Sequence, residues 1–305
     1  MPTYREYNAR LASMRGMRRV TSTMKMVAAS HLHRAQTGLR QAAPYGRALA
    51  DLLPPLPDPG APRHRLLAAP AEPRNALLLV VASNRGLCGG FNANIQRAAR
   101  QWLAAARPRY HILRAAFVGR RGHALLHRDI EARDEPLAIG AHPTPAEALR
   151  LSRPVGQAFL DGHYDEVHLV GNRFVSSLVS RAGVERLLPI ALPAPAGGRA
   201  APPGIREPTD ERLLVQVLRQ WFDFQVFEAL LHSVAAEHAA RVIAMDSATS
   251  NLQRLESELT LLRNRARQAS ITKELAEIVG GAEALALECR QHGKTKKWNA
   301  THERN

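Results

Sequence analysis

The sequence predicts a fold of class α+α/β: a long antiparallel two-helix coiled coil of the N- and C-terminal helices, with an inserted Rossmann-like α/β domain. Three observations support this prediction. The run from Thr209 to Val279 contains neither proline nor glycine, the residues that most often interrupt helices. A second stretch, 3–43, contains no proline and two glycines. Between these stretches, apolar runs of strand length alternate with helical segments, as they do in α/β domains.

The C-terminal run has the spacing of a coiled-coil seam. Apolar or small residues recur there in alternating steps of three and four, at Met245, Ala248, Leu252, Leu255, Leu259, Leu262, Ala266 and Ala269. Because each helical residue rises about 1.5 Å, the whole run would be roughly 105 Å long, which exceeds the width of a globular domain. A seam of this kind needs a partner helix.

The N-terminal segment 1–53 is the natural partner, with its helix predicted over 3–43. One apolar stripe at helical spacing continues one position over, as in a coiled-coil stutter, through Met17, Val20, Met24 and Val27 and then Ala28, Leu32, Ala35, Leu39 and Ala42. Nine Lys or Arg residues stand against two acids between positions 1 and 51. This charge fits either a solvated helix face or an anionic neighbour.

The α/β domain is predicted at 75–195, between two proline-rich linkers at 54–74 and 196–208. The apolar run Asn75–Ala82 is typical of a buried parallel strand. Further strands are predicted at 115–118, 166–170 and 187–191, with helices ending at 106, following Gly122 and spanning 145–160. After the C-terminal helix, 209–285, the basic tail 286–305 is expected to be disordered.

Composition limits the class of protein and of partner. The formal net charge is +15 and the pI about 11.0, which indicates an acidic partner: nucleic acid, an anionic membrane or an acidic protein surface. Two cysteines, Cys88 and Cys289, are too few for a disulfide framework or a zinc site, so both are expected to be reduced thiols. No window has the ~20 apolar residues of a membrane helix, and the N-terminus lacks the apolar core of a secretory signal. The chain is therefore expected in the cytosol.

The loop Ser83–Gly90 follows a predicted strand and precedes a helix, which is where phosphate-binding loops occur. It lacks the G-x-G-x-x-G order and a Gly-Lys-Ser/Thr triplet, so a structural turn is the favoured interpretation. Cys88 is a weak nucleophile candidate, because no basic residue is placed to activate it. His31 and His33 point to different sides of a helix and cannot share a metal ion. We expect no catalytic residue, no cofactor and no metal.

Several stretches of this sequence resemble the gamma subunit of F-type ATP synthases. The most specific are EHAARVIAMDSATSN at Glu237–Asn251 and ELTLLRNRARQASITKELAEIVGGAEAL at Glu258–Leu285. MKMVAAS at Met24–Ser30, RGLCGGFNANI at Arg85–Ile95, FVGRRG at Phe117–Gly122 and GNRFVSSLV at Gly171–Val179 extend the resemblance, which covers residues 1 to about 285. The chain departs from the family before the long helix and in its extension 286–305, features that suit a divergent, second-copy version.

The resemblance implies that the two terminal helices form the rotating central stalk of an ATP synthase, which couples ion transport to ATP synthesis. Its implied partners are the catalytic and nucleotide-binding subunits of the hexamer, the epsilon subunit and the membrane ion-translocating ring. Catalysis would belong to the surrounding subunits. The complex alone would hold this chain to the membrane, at the cytoplasmic side of the bacterial plasma membrane. The positions matching the family's hexamer contacts are Met24, Lys25, Arg267, Gln268 and Thr272.

Two interpretations from other classes compete with this one. A basic coiled-coil protein that binds nucleic acid is compatible with the charge, but aromatic residues make up 5% of the chain and no known nucleic-acid-binding module occurs. Salt-sensitive retention on DNA would support it, and a stoichiometric complex with ATPase subunits would support the rotor. An enzyme that binds a nucleotide at the loop around Gly86 is the weaker interpretation, and equilibrium dialysis against ATP or NAD would test it.

Overall fold

The computed structural model describes residues 3–53, 64–68, 70–191 and 210–302. Two long helices, α1 (Tyr4–Leu52) and α5 (Asp210–His302), flank a mixed α/β region in the sequence. That region begins with a short 3-10 helix at Arg65–Leu67. It continues with β1 (Asn75–Val81), α2 (Phe91–Ala106), β2 (Ile112–Val118), α3 (Arg120–Leu126), β3 (Glu131–Ala132), α4 (Pro145–Leu160), β4 (Glu166–Phe174) and β5 (Ser180–Leu188).

The five strands form one sheet in the order β3-β2-β1-β4-β5. The first four strands are parallel, and β5 pairs with β4 in the antiparallel direction. Central strand β1 is buried on both faces, as its continuous apolar run predicts. Leu77 and Leu79 pack with α4 and with part of α5, whereas Leu78 and Val80 pack with α2 and α3. The predicted α/β layer is confirmed.

The chain divides into two compact units. The coil unit comprises Met1–Ser22 and Ser247–Asn305, and the module unit comprises Thr23–Asp246. Within the coil unit, Arg15 Nε lies 2.7 Å from Glu256 Oε1 and the Thr249 hydroxyl donates to Thr21 at 2.9 Å. As the residue number of the contact rises along α1, that of its partner on α5 falls. The two helices therefore run antiparallel.

The module unit has the same antiparallel pairing. Lys25 pairs with Asp246, the ring of His31 stacks on that of His238, and Tyr45 meets Phe224 edge to face. Long antiparallel helices paired with each other, and an α/β region inserted between them, confirm the fold class that the sequence predicts.

The predicted contact face of α1 was wrong in its first half. Val20 is 58% exposed and Val27 51%, and Met17 is exposed too. The inward face follows one uninterrupted pattern of steps of three and four, through Leu11, Met14, Arg18, Thr21, Lys25, Ala28, Leu32, Ala35, Leu39 and Ala42. Three of these positions are polar and satisfy partners on α5, so the apolar pattern alone could not identify the face. No stutter is needed.

The seam on α5 is largely confirmed. Met245 is buried, and Ala248, Leu252, Leu255, Leu259 and Ala266 are partly buried, whereas Leu262 and Ala269 are exposed. The helix continues to His302, past residue 285, where the sequence predicted a disordered tail. Residues 282–302 contain no proline and one glycine, so their charge and polarity do not interrupt the backbone. Residues 303–305 lie outside the described part.

Three further differences concern the α/β region and its borders. The fourth strand, predicted at 187–191, is the longer β5, which the sequence hides because only Leu187 and Leu188 at its end are buried. Two-residue β3 was not predicted. Within the predicted linker 54–74, the 3-10 helix buries Leu66 in the core. Residues 54–63 and 69 of that linker lie outside the described residues, as does the whole linker 196–208.

Gly119→Ala is expected to destabilise the module unit by about 3 kcal/mol. Gly119 follows β2 with a φ of 89°, which L side chains rarely adopt. A Cβ there would overlap the carbonyl oxygen of Ala82 and lie 2.7 Å from its carbonyl carbon. Urea unfolding followed by tryptophan fluorescence measures the loss. Gly183→Ala is the control, because nothing lies within 4 Å of its Cβ position; equal midpoints for the two variants would contradict the prediction.

Candidate functional site

Met24 and Lys25 occupy adjacent positions on α1 in the module unit, and both are partly buried. Lys25 Nζ lies 2.5 Å from Asp246 Oδ1 on α5. Both charged side chains are about half exposed, so water screens the pair and it contributes at most about 1 kcal/mol. The following residues, Met26 and Val27, are exposed apolar side chains. This segment therefore offers a weakly held cation beside apolar surface, a composition suited to a partner contact.

Arg267, Gln268 and Thr272 lie on α5 in the coil unit, and all three side chains are exposed. Arg267 acts on Tyr4 at the start of α1, where a hydrogen bond from Asn8 and the nearby arginines lower the pKa of the tyrosine. The Thr272 hydroxyl donates to the carbonyl oxygen of Gln268 at 3.0 Å. The five predicted contact positions thus belong to two compact units, two positions in one and three in the other.

The loop Ser83–Gly90 is a built turn. The Ser83 hydroxyl donates to the Arg85 carbonyl at 2.7 Å, and the Asn92 amide donates to Cys88 Sγ at 3.2 Å. Leu87 adopts a left-handed φ of 63°. Cys88 is buried, and this burial raises the pKa of its thiol, which is the opposite of what a reactive thiolate requires.

A cavity of about 610 Å³ opens beside this loop, within the module unit. We call it the carboxyl-edge cavity, because the ends of β1 and β2 form its floor with Val81, Ala82, Val118 and Gly119. Met24, Val27 and His31 of α1 form one wall, and Leu230, Val234, Glu237, His238 and Arg241 of α5 form another. The cavity therefore lies outside the carboxyl ends of two parallel strands, beside the topological switch point of the sheet, which is between β1 and β4.

Three histidines from distant parts of the chain meet at the cavity. The rings of His31 and His238 stack with centroids 4.9 Å apart, and His31 Nδ1 lies 3.2 Å from His142 Nε2. Arg34 also contacts His142 Nε2, at 3.4 Å, and Arg241 contacts His238 Nδ1 at 3.2 Å. An arginine only donates, so both imidazole nitrogens must accept, and His31 must donate through Nδ1. His142 Nε2 and His238 Nδ1 therefore carry no proton in this arrangement.

Burial and the charge of Arg241 lower the pKa of His238 to about 3. Burial and the neighbouring His142 and Arg34 lower the pKa of His31 as well. His31 and His33 point to different sides of α1, as expected: His31 joins the cluster, whereas His33 is exposed. Nothing in the sequence indicated that His142, 111 residues away, would join His31.

A second buried polar network lies where β4 begins. Glu166, 2% exposed, accepts hydrogen bonds from the Tyr110 hydroxyl at 2.6 Å and from His168 Nε2 at 2.8 Å, and Arg109 lies at 3.1 Å. Burial opposes the charge of Glu166, but these bonds outweigh it and hold its pKa below the usual value. Burial and the same carboxylate raise the pKa of Tyr110. Every charged member of the network is paired. The network therefore holds β4 against the segment after α2 through hydrogen bonds.

Among the described residues, no group of three His, Cys, Asp or Glu side chains is arranged to hold a metal ion. Their helices include none that is long and apolar enough to cross a membrane.

Comparison with known proteins gives a consistent result. A protein-family model described as ATP synthase matches residues 3–285. The ATP synthase gamma chain of Anaeromyxobacter sp. strain Fw109-5 is 39% identical over 290 residues, covering 93% of this chain and 100% of the relative. That of Geotalea daltonii is 37% identical over 285 residues, covering 93% and 99%. That of Roseiflexus sp. strain RS-1 is 35% identical over 291 residues, covering 94% and 99%.

Solved structures with a similar fold come from mitochondrial ATP synthases. A chain of the Euglena gracilis mitochondrial ATP synthase in rotational state 3 aligns with a TM-score of 0.62 at 17% identity, covering 92% of this chain and 94% of that one. A chain of the Tetrahymena thermophila mitochondrial ATP synthase, from a structure of its central stalk and c-ring, aligns with a TM-score of 0.54 at 20% identity, covering 75% and 99%. At these identities the likeness shows the fold.

Proposed function

We propose that this chain, which belongs to the ATP synthase gamma-chain family, is the central rotor that couples ion flow through a membrane ring to conformational change in a catalytic hexamer. The family match over 3–285 carries this proposal, because it includes both helices of the shaft and the α/β region between them. As a gamma chain, the protein is a peripheral subunit of a membrane complex. In this proposal the chain itself is not catalytic and binds no nucleic acid.

The paired helices have the property that a rotor needs. A shaft transmits torque only if it is stiff, and two antiparallel helices with an interlocked seam resist bending and twisting better than one. An asymmetric shaft presents a different face to each of three catalytic subunits. Turning it would favour a different conformation in each of them, and therefore a different nucleotide affinity.

The far part of α5 has an apolar surface that no described side chain of the coil unit covers. Ile271, Leu275, Ile278 and Val279 are all exposed, and they follow Arg267, which already lies near Tyr4 at the start of α1. Exposed apolar side chains at helical spacing mark an interaction surface. We assign this surface to a contact with the apolar part of the hexamer that encloses the helix. Arg267, Gln268 and Thr272 contact the hexamer beside this surface.

The remaining partners follow from the same assignment. The similar solved chains belong to complexes that include a c-ring, so the α/β region and the adjoining part of the helices are proposed to attach to a membrane ring and an epsilon subunit. The relatives described above come from bacteria such as Anaeromyxobacter and Geotalea. The proposed location is therefore the cytoplasmic side of a bacterial plasma membrane, reached through the complex.

Co-expression with the neighbouring ATP synthase subunits tests this function. The expected result is a complex that contains one copy of this chain per hexamer, with its paired helices inside the hexamer when the particles are imaged. Retention on DNA without any such complex would overturn the rotor and favour the nucleic-acid alternative.

Lys25→Gln is expected to lower ATP synthesis by the assembled complex several-fold, because the proposed contact of Lys25 with the hexamer loses its cation. Asp246→Asn is the matched control, since it breaks the same intramolecular ion pair but keeps the cation. Both variants should fold, because the pair is exposed. Equal losses in the two variants would mean that Lys25 acts only through Asp246, and unchanged synthesis in both would remove Lys25 from the contact.

A further inference from the structure

The carboxyl-edge cavity carries an excess of positive charge. Three arginines line it, Arg85, Arg120 and Arg241, but only one carboxylate does, that of Glu237. Arg241 is 8% exposed and uses that carboxylate itself, at 2.7 Å, while it also donates to the Gly86 carbonyl at 3.2 Å. Arg85 and Arg120 are both exposed, and neither forms an ion pair with a residue that the structure describes. The charge of Arg85 still acts on Glu237, so three guanidinium groups share the cavity with one carboxylate.

The loop beside these arginines adds neutral donors. In the described part of the chain, the backbone N–H groups of residues 85–90 donate to no backbone carbonyl. Gly86 and Leu87 of this loop line the cavity, and Leu87 is left-handed. Runs of backbone N–H groups in such turns form concave sites that attract anions.

Size and position indicate a small ligand. About 610 Å³ is within the usual range of small-molecule pockets. The floor is made by the carboxyl ends of β1 and β2, and the walls include apolar side chains such as Met24, Val27 and Ile139. The polar groups lie on several sides: the loop and α3 supply Arg85 and Arg120, α1 supplies His31, and α5 supplies Glu237, His238 and Arg241.

We propose that the carboxyl-edge cavity binds a small anion through a phosphate group, with Arg85 and Arg120 as its principal charged contacts. Guanidinium groups bind phosphate oxygens in paired hydrogen bonds, and the backbone N–H groups of the loop supply further donors. The loop lacks the glycine pattern that positions a dinucleotide, so the phosphate group is the recognised part. Inorganic phosphates and nucleotides are its two possible sources. This proposal does not depend on the rotor assignment.

The test is calorimetric titration of the full chain with inorganic pyrophosphate and, separately, with ADP. The Arg85→Gln/Arg120→Gln variant is expected to bind the active anion roughly tenfold more weakly or worse, because each lost guanidinium removes charge-assisted hydrogen bonds. The matched control, Arg97→Gln/Arg128→Gln, removes the same charge from exposed positions outside the cavity. It is expected to change the dissociation constant by no more than about twofold.

Each outcome decides the proposal. Binding of pyrophosphate that only the cavity variant weakens supports the site and identifies the phosphate group as sufficient. Binding of ADP alone, again weakened only by the cavity variant, supports the site and identifies a nucleotide as the source. If neither compound binds at millimolar concentration, or if both double variants weaken binding equally, the site is excluded.

Discussion

Replacing Leu252, Leu255 and Leu259 together by Gln is expected to uncouple ion flow from ATP synthesis in the assembled complex. All three side chains are partly buried in the coil unit, on the seam of α5. Each replacement removes about 1–2 kcal/mol of apolar burial, so the triple variant loosens the pairing by about 4 kcal/mol. A loosely paired shaft twists under torque instead of transmitting the rotation to the hexamer. The rate of ATP synthesis at a fixed ion gradient should therefore fall several-fold.

The isolated chain provides the structural half of this experiment. Loss of helical circular dichroism on heating should begin at a lower temperature in the triple variant. Leu261→Gln is the control, because that side chain is 62% exposed on the same helix; it should leave the melting of the isolated chain unchanged. A triple variant that melts early but still synthesises ATP at the normal rate would separate the seam from coupling and refute the mechanism.

Periodicity predicted the seam on α5 because that face is apolar nearly throughout. It failed on α1, where the contact positions Arg18, Thr21 and Lys25 are polar. Each has a specific partner on α5, namely Glu256, Thr249 and Asp246. A polar residue that is satisfied across a helix pair looks in the sequence like a surface residue, and the exposed Val20 looks like a core residue. Only the identity of the partner decides between them.

The sequence did not predict the carboxyl-edge cavity as a site. The loop between a buried strand and a helix lies where phosphate-binding loops occur, but its glycine pattern favoured a structural turn, and the structure has a cavity beside that turn. Its charged lining could not be foreseen, because Arg85, Arg120 and Arg241 come from three separate segments. The histidine cluster is the same case: His31, His142 and His238 each stand alone in the sequence. Local patterns predict local structure. These groups meet only through the packing of the helices on the α/β region within the module unit.

Lowering the pH from 7.5 to 5 is expected to destabilise the module unit through two histidines. Burial and the charge of Arg241 lower the pKa of His238 to about 3, and burial and Arg173 lower that of His232 to about 4. An unfolded histidine has a pKa near 6.5, so below that pH the unfolded state binds protons that the folded state refuses. Stability therefore falls as the pH drops from 6.5 towards the folded pKa. At pH 5 the loss is about 2 kcal/mol for each histidine.

The double variant His232→Gln/His238→Gln isolates this contribution, because glutamine cannot take up the proton. Urea unfolding of the full chain at pH 7.5 and pH 5, followed by tryptophan fluorescence, gives the change in the free energy of unfolding for each protein. The change should be smaller by up to about 4 kcal/mol in the double variant than in the parent, whatever its stability at pH 7.5. His111→Gln/His163→Gln, at two exposed positions, should keep the full change. If the parent and the double variant lose the same free energy, the two buried histidines are protonated in the folded chain, and the bonding that keeps His238 neutral as an acceptor of Arg241 is wrong.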